Sequence, residues 1–140
     1  MAVTTTVTTL TAEGALKALN AAHAKSLALG VPVDISVCDA AGNEVAFLRP
    51  DGAPLLSMGI ARDKAYTVVA FNGLPTSKWF DLIKDEPALL NGIVHRERLV
   101  IFGGGVPILV DGVLVGAVGC SGGSAEEDVI VAQAGADAVG

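Results

Sequence analysis

The stretch "GGGVPILVDGVLVGAVGCSGG", residues 103–123, decides the fold. Two apolar runs, Val106 to Val110 and Val113 to Cys120, flank Asp111-Gly112, a pair suited to a two-residue hairpin. The second run is apolar on both faces, which predicts a central strand covered from each side. It empties into "SGGS" and then the acidic "AEED", a helix start with Ser124 as its cap. Backbone N–H groups left free at such a junction attract carboxylates, phosphates or oxyanions. The plainer reading is a tight glycine turn and a capped helix with nothing bound. The sequence leaves both open.

Working outward, "LVIF" (99–102) reads as a further strand, broken from the hairpin by Gly103 to Gly105. Upstream, Val33, Ile35 and Val37 alternate with Asp34, Ser36 and Cys38 as a half-buried strand. "DAAGNE" turns it back into a partner over Val45 to Leu48. Helices fill the rest. The first begins at Thr11, carries Leu16, Leu19, His23 and Leu27 at helical spacing, and stops at Gly30. The second spans Leu55 to Phe71, and a short third follows Pro75 with Trp79, Phe80, Leu82 and Ile83. Residues 86–98 read either way. The last runs from Ser124 to Val139. The order α, ββ, α, α, βββ, α predicts one α+β domain over residues 1–140. Its architecture is a five-stranded, mostly antiparallel sheet flanked by helices in three layers.

Composition narrows the function. Nine basic residues stand against 15 acidic ones, for a net charge of −6, and no basic run tracks a phosphate backbone. Nucleic acid is therefore not the expected partner. No apolar run is long enough to span a bilayer and the start carries no secretory pattern, so a cytoplasmic protein is expected, with no membrane partner. Half the residues are apolar in a chain of 140, more than a small interior absorbs, so a homo-oligomer is expected. Cys38 and Cys120 match no metal or redox spacing and read as small buried hydrophobes. No metal site is predicted.

Few residues carry chemistry. Lys64 shares a helix face with Ile60, Ala61, Thr67 and Val68, so it snorkels, pairs with a carboxylate, or meets an anionic ligand. Desolvated, it becomes a candidate base. Arg49 and Asp51 flank Pro50 in "RPDG", either as a capped turn or as a carboxylate clamp. His95, in "GIVHRERL", is the histidine placed for a base or a haem ligand, or else part of a polar loop. His23 shares a face with the leucines and reads as a packed core or interface residue. Ser121 sits in "GCSGG", but no histidine follows it, which removes a serine-hydrolase triad.

The motifs "RPDGA", "ARDKAYT", "GGGVPILVDGVLVGAVGCSGG" and "EED" together resemble the GlcG/HbpS-like, haem-degrading domain family, also found attached to PduO-type proteins. The resemblance runs from Leu10 to Gly140. It implies a profilin-like fold with a five-stranded sheet, oligomers up to octamers, and functions from haem binding to cofactor metabolism. Positions matching the family pattern include Arg49, Asp51, Lys64, Gly104, Gly105, Ser121, Gly122, Gly123 and Asp128. The expectation that follows is a pocket for haem or another anionic small molecule. Lys64 and Arg49 would meet its carboxylates beside the amides of Gly122 and Gly123. Two alternatives stand next to it. One is a cofactor-independent lyase, isomerase or hydratase with Lys64 or His95 as base, and the other is a ligand-free oligomeric scaffold.

Overall fold

The computed structural model describes residues 1–140. The chain runs α1 (Ala12–Leu29), β1 (Asp34–Asp39), β2 (Glu44–Leu48), α2 (Ser57–Ala70), a 3-10 turn (Thr76–Lys78), α3 (Trp79–Ile83), α4 (Pro87–Ile93), β3 (Gly105–Val110), β4 (Val113–Ser121) and α5 (Ala125–Asp137). The helix ends follow their capping residues. The Thr11 hydroxyl accepts the Gly14 amide at 3.0 Å, and Gly30 ends α1 with a φ of 69°. Ser124 and Glu127 close a reciprocal capping box at the start of α5.

The strands form one antiparallel sheet in the order β2-β1-β4-β3. Asp111 and Gly112 make the β3–β4 hairpin, both with positive φ (51° and 77°). The longest strand, β4, is central, as its two-faced apolarity predicts. One face meets α1 and α5 through Ile35, Val37, Val118, Cys120, Ala18 and Val131. The other meets α2 through Cys38, Ala117, Ala65 and Val68. Gly119 lets α2 come this close. A Cβ there would collide with the Ala61 carbonyl oxygen and stand 2.6 Å from the Ala65 nitrogen. No helix is long and apolar enough to cross a membrane.

The sheet has four strands, not the expected five. Leu99–Phe102 is not a strand, because its backbone is tied to a helix instead of a neighbouring edge. The Val100 amide donates to the Thr67 hydroxyl of α2 at 3.1 Å, and that hydroxyl donates to the Arg98 carbonyl at 2.8 Å. The edge left at β3 carries Pro107, which has no N–H for a fifth strand.

A second difference lies in α1. Its buried face is Ala15, Ala18, Leu19, Ala22 and Ser26, while Leu16 and Leu27 are 52% and 67% exposed. The partner helix explains it. Gly135 of α5 lies so close that a Cβ there would stand 2.8 Å from the Ala18 carbonyl oxygen and 3.1 Å from the Ala22 methyl. Only small side chains fit at that crossing.

Candidate functional site

Lys64, on α2, is fully buried. Its side chain passes over Gly104, where an added Cβ would stand 2.5 Å from Nζ and would also strike the Cys120 carbonyl oxygen. Gly104 has a φ of 134°, a conformation other residues rarely adopt. Beyond it the ammonium donates to the Cys120 carbonyl oxygen at 2.8 Å and to Asp128 Oδ2 at 3.0 Å. The Phe102 ring covers it, with Nζ 5.1 Å from the centroid.

Asp128 sits in the first turn of α5, where the free amides of the helix start favour a negative charge. Its second oxygen, Oδ1, accepts the Gly123 amide at 2.9 Å. The glycine cup is thus filled by the protein's own carboxylate. Burial pulls Lys64 below the usual lysine range and is opposed by the Asp128 charge. Burial likewise raises Asp128, opposed first by the Lys64 charge and then by the Gly123 amide. The Lys64 ammonium on α2 and the Asp128 carboxylate on α5 tie the two helices together.

The expected site residues therefore fall into three places. Lys64, Gly104, Gly122, Gly123 and Asp128 come together around the ion pair, and Ser121 is buried at the end of β4 between Cys120 and Gly122 in the chain. Gly105 adjoins them, its amide donating to the buried Thr76 hydroxyl at 2.8 Å. Arg49 and Asp51 are exposed beyond the end of β2. His95 is exposed in the turn after α4 and is not part of the Lys64 cluster. No group of three or more His, Cys, Asp or Glu residues is arranged to hold a metal ion. Both cysteines are buried and free. Burial pushes the Cys38 thiol up to about 12 and raises Cys120 as well, so neither is a thiolate at neutral pH.

Two residues of interest were not nominated from sequence. His23 lines an open cleft of about 370 Å³ together with Leu27, Val31, Pro32, Pro50 and Asp51. The leucine spacing offers a core or interface position, and the buried repeat Ala15, Ala18, Ala22 leaves His23 half-buried at the rim. Asp34 is fully buried on β1, and neither carboxylate oxygen has a hydrogen-bond partner. Burial raises its pKa above the usual aspartate value, opposed by the charges of Arg49 and Arg62. Its place among apolar strand residues was readable, but the absence of a partner was not.

Comparison with known proteins adds a lineage. The profile of the family described as haem-degrading protein HbpS-like matches residues 10–137. A 15.0 kDa protein from the dhaT-dhaS intergenic region of Citrobacter freundii is 36% identical over 94% of this chain and 92% of its own length. The corrinoid adenosyltransferase PduO of Salmonella typhimurium is 39% identical over 81% of this chain, a match that spans only 34% of PduO. Among solved structures, a complex of PduOC with heme superposes with a TM-score of 0.83 at 35% identity, covering 93% of this chain and 94% of that one.

Proposed function

The chain belongs to the HbpS-like family, and on that premise we propose that it is a small-ligand-binding protein that takes up haem at the His23 cleft. The carrying observation is the position of His23. Its imidazole lines an open cleft of about 370 Å³ whose walls include Leu27, Val31, Pro32 and Pro50. Binding pockets for organic ligands fall at about 300–1,000 Å³ and combine apolar walls with a few polar groups. Imidazole is an ordinary axial ligand for haem iron, and the donor set here fits that need. Arg49 adjoins the cleft residue Pro50 in the chain and is exposed, a guanidinium available to a propionate. The related PduOC domain, solved with heme, supports the choice of ligand. Bound haem would supply the iron chemistry; His23 would supply an imidazole, Leu27 and Val31 an apolar wall, and the neighbouring Arg49 a cation.

The test is spectroscopic. Titrated with haem at micromolar concentration, the protein is expected to give a saturable Soret shift that weakens at least tenfold in His23→Ala and persists in His95→Ala. No saturable shift, or an equal one in His23→Ala, overturns the reading. The chain is also proposed to be a homo-oligomer. The number of exposed large hydrophobic side chains, among them Leu16, Leu55, Leu56, Phe80 and Phe102, supports this.

A further inference from the structure

Residues 1–9, "MAVTTTVTT", stand away from the domain they lead into. All nine are exposed, Val3 at 94% and Val7 at 70%, and residues 1–8 exchange no hydrogen bond with the rest of the protein. The segment is fixed at its root alone. There the Leu10 amide donates to the Val115 carbonyl at 3.0 Å, and the Thr9 hydroxyl accepts the Ala40 amide at 3.0 Å. Residues 3–9 are an unbroken run of valine and threonine, the β-branched types that favour extended backbone. An exposed run of this kind, free of charge, proline and glycine, pairs with another chain unless something covers it.

A groove of matching chemistry opens at that root. It encloses about 380 Å³ and is walled by Leu10, Val110, Val113, Val115 and Val139, with Asp111 as its one charged residue. The pairing of β4 with β1 stops at Gly116, which leaves the edge of β4 open at the exposed Val113. The segment cannot fill its own groove. Thr8 and Thr9 already form part of the wall, and doubling back needs a turn, for which residues 1–9 hold no Gly, Pro, Asn or Asp. A second copy offers the same groove without that constraint. Charge favours the same choice. The chain carries a net charge of −6, so two copies repel across most of their surfaces, whereas residues 1–12 hold no charged side chain.

We infer that residues 3–9 are an arm that docks in the valine-lined groove of a second copy of this chain. Val3 and Val7, on one face of the extended arm, lie against the apolar wall. The inference deepens the proposed self-association and rests on it. Light scattering after size exclusion is expected to give the parent a mass above that of a monomer. A photoreactive benzophenone side chain at position 7 of the full chain then maps the contact. Irradiation is expected to yield a covalent dimer on a denaturing gel, with the crosslink located by mass spectrometry in residues 110–115 or at 139. Val7→Asp, at an exposed position without hydrogen bonds, is expected to melt as the parent does. Its self-association in sedimentation equilibrium is expected to weaken at least tenfold. In an oligomeric parent, no covalent dimer, crosslinks elsewhere, or unchanged association in Val7→Asp overturns the arm and leaves self-association standing. A parent at monomer mass overturns both.

Discussion

Lys64 and Asp128 carry the clearest energetic statement at the level of single residues. Removing one partner of a buried ion pair strands the other charge and costs about 3–5 kcal/mol. Lys64→Met is therefore expected to lower stability by that amount in urea denaturation. Lys64→Met with Asp128→Asn should recover much of it, because the asparagine oxygen still accepts the Gly123 amide without a stranded charge. Asp34 makes a different prediction. Its folded-state pKa is raised, so between 3.8 and the raised value the folded protein holds a proton that the unfolded chain has lost. Stability from this group accordingly rises as pH falls from the raised value toward 3.8 and is flat below it. Asp34→Asn is expected to melt higher than the parent at pH 7, with the gap closing toward pH 4. A gap that is constant across that range counts against the buried, unpaired carboxylate. Lys64 was legible as a charge on an apolar face, but its partner lies 64 residues away and no local pattern points to it.

Where elements start and stop was written in short-range chemistry, and that part read well. Thr11, Gly30, Asp111-Gly112 and Ser124 each perform the turn or cap their side chains and backbones favour. Ser124→Ala should cost about 1 kcal/mol, seen as a shifted denaturation midpoint with an unchanged slope. Elements set by distant partners read poorly. "LVIF" has the composition of a strand, yet Thr67 claims its backbone. Thr67→Val keeps the shape and leaves the buried Val100 amide without an acceptor. It is expected to destabilise the fold by about 1–3 kcal/mol in the same denaturation assay. The leucines of α1 likewise satisfy a helical period without facing the core, because an alanine face is what α5 admits. Composition gives a period, and the partner decides which side of it is used.

At the scale of the molecule, three layers were readable from the two-faced apolarity of β4, while the number of strands and the position of the His23 cleft were not. The cleft depends on how the end of α1, the segment to β1 and the turn at Pro50 converge, and none of these signals the others in sequence. The exposed face of α1 gives the assembly test. If the proposed self-association uses this face, Leu16→Glu is expected to reduce the mass measured by light scattering after size exclusion; a parent already at monomer mass, or an unchanged mass in the variant, counts against it. The bond from Lys64 to Asp128 has a mechanical corollary. It ties the helix on one side of the sheet to the helix on the other, around the sheet's end, so neither cover can lift while the other stays. Amide protons of α2 and α5 should then exchange with solvent at a common opening free energy, and Lys64→Met should split them into two populations.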